Sequence, residues 1–203
     1  MVRSERIGIF GGTFDPVHVG HLIVAADLLQ ALSLDRVLFV PAGRPPHKDT
    51  SIISDDQDRL EMLHLAIDDN PMFQVSTIDL ERDGPSYTAD LLELLAGGHP
   101  NAQLVFLLGE DSLRDLPTWH DPNRIVRQAE LGVARRPGVK LDLASVLDAV
   151  PAACGRITLV DSPLIGISST DLRARVARGA PVAYQVPEQV ERYIRHSGLY
   201  REP

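Results

Sequence analysis

Two histidines three residues apart, His18 and His21, close the stretch IGIFGGTFDPVHVGH at residues 7–21. The apolar run into Gly11-Gly12 predicts a strand ending in a loop. Residues without a Cβ there let the backbone turn sharply and come close to a ligand. Asp15-Pro16 holds the chain extended ahead of the next helix. With that helix starting near Val17, both imidazoles share one face of its first turn, about 5–6 Å apart at Cβ. A helix start carries unpaired N–H groups and partial positive charge, which suits an anion. Imidazoles add hydrogen-bond donors and a charge that can be switched on, so the chemistry implied is phosphate binding. Other uses of glycine or histidine fit less well. A Walker loop needs a lysine that is absent here, and Gly8, Gly11 and Gly12 have the wrong spacing for the dinucleotide fingerprint. A zinc site wants a third ligand and a buried shell.

A second anion site is legible near the other end of the chain. ISSTDLR (Ile167–Arg173) contains Ser168-x-x-Asp171, a capping box that starts a helix. Ser168, Ser169 and Thr170 then line a positive helix end, and Arg173, read as inside the first turn, can reach terminal phosphates with its planar fork. Two helix starts far apart in sequence could hold one triphosphate.

The elements that must position these groups alternate in type. Strands are expected at Arg6–Phe10, Arg36–Val40, Phe73–Ile78, Gln103–Leu108, Leu131–Ala134 and Ile157–Val160. Helices are expected at Val19–Leu32, Asp55–Asp69, Thr88–Ala96, Ser169–Arg178 and Pro187–Ser197, the second with Leu60, Leu63 and Ile67 at helical spacing and the last with Pro187 at its first position. QLVFLL is apolar on both faces, as a central parallel strand must be. The pattern implies an α/β fold: a doubly wound, Rossmann-like, mainly parallel sheet with helices on both faces. Ligands of such sheets bind at the carboxyl ends of strands where the strand order reverses. If strands one and four are neighbours there, Gly11-Gly12 and Gly109-Glu110-Asp111 open into one crevice. The irregular stretches are Pro41–Ile53 and Arg135–Lys140.

Composition bounds the rest. The 203 residues are read as one domain, 1–203, with a C-terminal helical part at about 166–200 completing the site. A formal net charge of −8 speaks against general nucleic-acid binding, which favours basic surfaces, yet leaves room for a nucleotide held by local donors. One cysteine, Cys154, cannot form an internal disulfide and fits a reducing compartment. No signal peptide or membrane-length apolar run is read, so the expected location is the cytoplasm, with no membrane partner. Homo-oligomer formation is left open.

GGTFDPVHVGH resembles the Gly-x-Phe-x-Pro-x-His-x-Gly-His signature of the nucleotidyltransferase superfamily, and ISSTDLR resembles its second signature, Ile-Ser-Ser-Thr-x-x-Arg. Four more segments are similar to nicotinate-nucleotide adenylyltransferases: PAGRPPHK (Pro41–Lys48), SYTADLL (Ser86–Leu92), LLGEDSLRDLPTWHD (Leu107–Asp121) and ARRPG (Ala134–Gly138). The likeness runs collinearly from Ile7 to about Tyr200. Val139 departs from it, standing where an aromatic is expected.

The resemblance implies an adenylyltransferase of NAD biosynthesis. It would join ATP and nicotinate mononucleotide, giving nicotinate adenine dinucleotide and pyrophosphate. It puts Gly11, Gly12, Thr13, Phe14, His18, His21, Ile167, Ser168, Ser169, Thr170 and Arg173 on ATP, with His18, His21 and Arg173 catalytic. It puts Lys48, Thr88, Asp111, Trp119 and Arg136 on the mononucleotide. Mg²⁺ would be held mainly by ATP and water rather than by protein carboxylates. The residues keep plainer readings too: Trp119 as partial core, Asp111 as a helix cap, Lys48 as a solvated charge. Nicotinamide mononucleotide or phosphopantetheine as acceptor, or a non-catalytic nucleotide sensor, remain the alternatives.

Overall fold

The computed structural model describes residues 3–45, 53–135, 141–163 and 165–201. Its centre is a six-stranded sheet: β1 (Arg6–Gly12), β2 (Arg36–Pro41), β3 (Phe73–Val75), β4 (Gln103–Gly109), β5 (Glu130–Arg135) and β6 (Ile157–Asp161). The spatial order is β3-β2-β1-β4-β5-β6, and every neighbouring pair is parallel. The chain therefore winds outward from β1 through β2 and β3, then returns to the other side of β1 and winds outward again. β1 and β4 are adjacent at the reversal, as the crevice argument required.

Side-chain alternation along the strands separates two cores. Val37, Phe39, Val105 and Leu107 enter a cluster covered by α1 (Val19–Ala31), α2 (Asp56–Ile67), α7 (Ser169–Ala177) and α8 (Glu188–Ser197). Ile7, Ile9, Leu38, Val40, Leu104, Phe106, Leu108, Leu131 and Val133 enter the opposite one. That face is covered by α3 (Thr88–Gly98), α4 (Glu110–Asp115), α5 (Pro122–Gln128) and α6 (Leu143–Ala149), joined by single turns at Leu116–Thr118 and Pro151–Ala153. Both faces of the sheet are buried, which explains why QLVFLL has no polar alternation.

The structure departs from the sequence reading at identifiable points. β1 runs through Gly11 and Gly12, paired with Val40 and Pro41, so the glycines extend the strand. The sharp turn comes two residues later at Phe14, with φ 52. β3 stops at Val75, short of Ile78, because Leu80 and Glu81 donate back to the Thr77 carbonyl and turn the chain. Pro187 precedes α8 rather than opening it, its ψ of 146 being extended. The buried face of α2 contains Arg59, Met62, Leu63, Ala66 and Ile67, while Leu60 is half-buried. The short helices α5 and α6 are absent from the sequence reading, and α4 enters it only through Asp111 as a possible cap. α5 and α6 do carry signals: Asp121 and Asp142 each accept from the backbone N–H three residues on.

Candidate functional site

A cleft of about 400 Å³ opens at the carboxyl ends of β1, β4 and β5. Its floor comes from Phe10 and Gly11 of β1, Gly109 at the end of β4 and Ala134 and Arg135 of β5. One wall is the start of α1, the other the start of α7. Of the residues expected to meet ATP, Gly11, Thr13, His18, His21, Ile167, Ser168, Ser169, Thr170 and Arg173 all line it. Asp111, expected at the mononucleotide, lines the same cleft with Ser112. It lies inside α4, whose cap is Gly109, so it is not the cap of that helix.

The histidines are arranged differently from two residues inside one helical turn. His18 is the residue before α1, extended at φ −142 and ψ 166, and His21 is the third residue within it. The His18 backbone N–H donates to His21 Nδ1 at 3.2 Å, so the imidazole of His21 performs the return half of a capping box. A neutral ring that accepts at Nδ1 keeps its proton on Nε2, which makes that nitrogen the donor. The two rings stack, centroids 3.7 Å apart and planes inclined by 24°. Gly20 lets this happen: a Cβ there would stand 3.0 Å from His18 Nδ1.

Below them, Phe14 is 2 % exposed and meets His21 edge-on at 5.1 Å. The structure thus puts Phe14 in the core beneath the histidines and not on the cleft wall. Gly12 is also outside the lining; a Cβ there would stand 2.9 Å from the Phe14 ring, so its absence leaves that ring its space.

α7 starts as its sequence predicts. Ser168 Oγ accepts from the Asp171 N–H at 3.1 Å and donates to Asp171 Oδ2 at 2.7 Å. Ser169 Oγ donates to the Pro16 carbonyl at 2.9 Å, fastening the start of α7 to the loop before α1. Arg173, the fifth residue of α7 and so just past its first turn, reaches the same loop: Nη1 donates to the Asp15 carbonyl at 2.7 Å. The two walls are therefore joined directly by hydrogen bonds.

Two buried residues of this framework went unread. Arg59 is wholly buried; its Nη1 donates to the Thr13 carbonyl at 2.9 Å, its Nε to the Ser54 carbonyl at 3.3 Å, and it pairs with Asp56. Asp15, 1 % exposed, accepts from the Ser54 N–H at 3.2 Å and from Tyr200 Oη at 2.6 Å. The only signal in sequence is that Arg59 lies three and four residues before Met62 and Leu63, on the face that must be buried. For Asp15, the motif showed the residue but not its partners.

With the geometry in view, similarity decides the family. The sequence profile described as Cytidylyltransferase-like matches residues 9–175. A protein of Thermomicrobium roseum named "Probable nicotinate-nucleotide adenylyltransferase" is 57% identical over 97% of this chain and 92% of its own length. One of the same name from Roseiflexus sp. is 48% identical over 98% of this chain and 100% of its own. The chain belongs to the nicotinate-nucleotide adenylyltransferase family. The fold agrees: a Plasmodium falciparum nicotinic acid mononucleotide adenylyltransferase solved with NaAD superposes with a TM-score of 0.78 at 23% identity, covering 97% of each chain.

Thr88 and Trp119, also expected at the mononucleotide, lie in a second region. Thr88 opens α3, and Trp119 follows the turn after α4. The two segments meet where the Tyr87 and His120 rings stack, centroids 4.2 Å apart. Trp119 is half-buried and stands edge-on to Phe106 of β4 at 6.1 Å. Lys48 and Arg136, and with Arg136 the departure at Val139, lie outside the described residues.

This region is braced from below. Asp79, 3 % exposed, accepts from the Gly43 N–H at 3.1 Å and from Arg82 Nε at 2.5 Å, and Ser86 Oγ accepts from the Arg44 N–H at 2.8 Å. Gly43 fits because it has no Cβ: one built there would lie 2.6 Å from the Asp79 carbonyl oxygen, a backbone atom that cannot rotate away. Gly43→Ala is expected to destabilise the fold by about 2 kcal/mol, the overpacking range. In unfolding experiments that is a melting point about 4–8 °C lower. An unchanged melting point would mean the β2 and β3 connections are not held together as described.

Among the described residues, no three His, Cys, Asp or Glu are grouped to hold a metal ion, and no helix is long and apolar enough to cross a membrane.

Proposed function

We propose that this protein transfers the adenylyl group of Mg-ATP to nicotinate mononucleotide, releasing pyrophosphate. The observation that carries the reading is the single cleft shared by the His18–His21 pair and the Ser168–Arg173 helix start. A phosphate oxygen of the mononucleotide forms a bond to the α-phosphorus of ATP, and the bond from that phosphorus to the bridging oxygen breaks. The nucleophile is already ionised, so no general base is required. Catalysis then rests on positioning and on stabilising charge at phosphorus. His18 and His21 serve the α-phosphate. Ser168, Ser169, Thr170 and Arg173 serve the departing pyrophosphate, with Gly11, Thr13 and Ile167 bordering ATP. Gly12 and Phe14 contribute by shaping the loop from beneath.

Magnesium enters as part of the nucleotide substrate, coordinated by phosphate oxygens and water, which asks for no protein cluster. Thr88, Trp119, Lys48 and Arg136 are assigned to the mononucleotide. Asp111, on the wall of the cleft, is assigned to a ribose hydroxyl of the mononucleotide. The chain works as one unit, 1–203, with residues 166–200 closing the cleft, and an acidic protein with one cysteine suits the reducing cytoplasm.

The test is pyrophosphate release from Mg-ATP with nicotinate mononucleotide, nicotinamide mononucleotide and phosphopantetheine offered separately. Release with the nicotinate form is expected to dominate. Release with another acceptor alone would overturn the roles of Thr88 and Trp119. Binding of ATP without release would favour a nucleotide sensor.

A further inference from the structure

Asp15 is a junction between three elements that are remote in sequence. Its Oδ2 accepts from the N–H of Ser54, which leads into α2, and its Oδ1 accepts from Tyr200 Oη, beyond α8. Arg173 of α7 donates to its carbonyl at 2.7 Å, while the distance from Arg173 Nη1 to Oδ2 is 3.8 Å. A buried carboxylate beside a guanidinium would ordinarily close on it as a short two-pronged pair. Here Ser54 and Tyr200 occupy the two carboxylate oxygens, and Arg173 makes only a long ion pair with Oδ2 at 3.8 Å while it donates to the carbonyl and lines the cleft.

We propose that Tyr200 is a positioning residue for adenylyl transfer: its hydroxyl holds the Asp15 carboxylate back from a short two-pronged bond to Arg173, so that the guanidinium donors stay available to the leaving pyrophosphate. This rests on the reading of Arg173 given above. A separate observation points the same way. Tyr200 is held at φ 64, a left-handed conformation uncommon for a residue other than glycine, and such geometry persists only where the surroundings impose it. Burial and the neighbouring Asp15 carboxylate push the phenol well above its usual range, so it stays a donor across the working pH of the enzyme.

The experiment is a double-mutant cycle with Tyr200→Phe and Arg173→Gln. It is run at a temperature below the melting point of every variant, with kcat and both KM values recorded. Tyr200→Phe alone is expected to lower kcat about tenfold, with little change in the KM for the mononucleotide. In the Arg173→Gln background the same change should cost less than about twofold, because the residue it acts through is gone. A merely structural tyrosine would give effects that multiply, and that result would overturn the proposal. Arg173→Gln turning over at the parent rate would overturn the reading of Arg173 and this proposal with it. Should Tyr200→Phe not fold, Asp15→Asn carries the same cycle with the same expectation of non-additivity.

Discussion

His18→Ala lowers kcat about 10³-fold while the protein remains folded. The magnitude follows from removing a pre-placed donor at the centre where charge develops, a loss that costs about 10²–10³ at an acyl-transfer oxyanion hole. The effect should exceed that expectation at its lower end, because the two rings act together. His18 stacks on His21, so alanine also removes the ring against which the second donor is packed. A modest loss of stability, about 1 kcal/mol, accompanies the change, because His18 is 7 % exposed and its side chain belongs to the capping box that starts α1. Steady-state rates with a melting curve on the same preparation check both halves. A variant within tenfold of the parent rate would remove His18 from the chemistry.

Trp119→Ala raises the KM for nicotinate mononucleotide about 10- to 100-fold and leaves the KM for ATP within about twofold. Loss of stacking of a heteroaromatic ring on an aromatic side chain accounts for that size. The separation of the two constants follows from position: Trp119 belongs to the segment whose His120 stacks on Tyr87, whereas the cleft proposed for the phosphates is lined by β1, β4, β5 and the starts of α1 and α7. Trp119 is also packed edge-on to Phe106, so some loss of stability accompanies the change. A fall in melting point with equal effects on both constants would make it a core residue alone.

The frame of the molecule was legible because its signals are local. Most of the six strands are apolar runs bounded by turn residues, and the longer helices that cover the sheet repeat apolar residues at helical spacing. The capping box at Ser168 announced the start of α7 within four residues. What escaped depends on contacts across long separations. Arg59 sits on an apolar helix face because two carbonyls, of Thr13 and Ser54, wait for it there, and no local rule anticipates that. Asp15 and Tyr200 are 185 residues apart in sequence and 2.6 Å apart in space.

The histidine pair shows the same division. Its spacing suggested an anion site and the helix from Val19 was legible, but His18 was read inside the first turn when it stands just ahead of it. The stack of one ring on the other and the return bond from His18 N–H to His21 Nδ1 therefore went unseen. Short helices such as α6 were missed for a different reason. Leu143, Val146, Leu147 and Val150 do have helical spacing, yet seven residues give a weak periodic signal, and only the Asp142 cap distinguishes them from a loop.

The most direct measurement is a crystal structure with nicotinate mononucleotide and an ATP analogue that cannot release pyrophosphate. The account predicts the α-phosphate against His18 and His21, the β- and γ-phosphates at the Ser169–Thr170 start of α7 within reach of Arg173, and the pyridine ring beside Trp119. A triphosphate bound away from either helix start would contradict it.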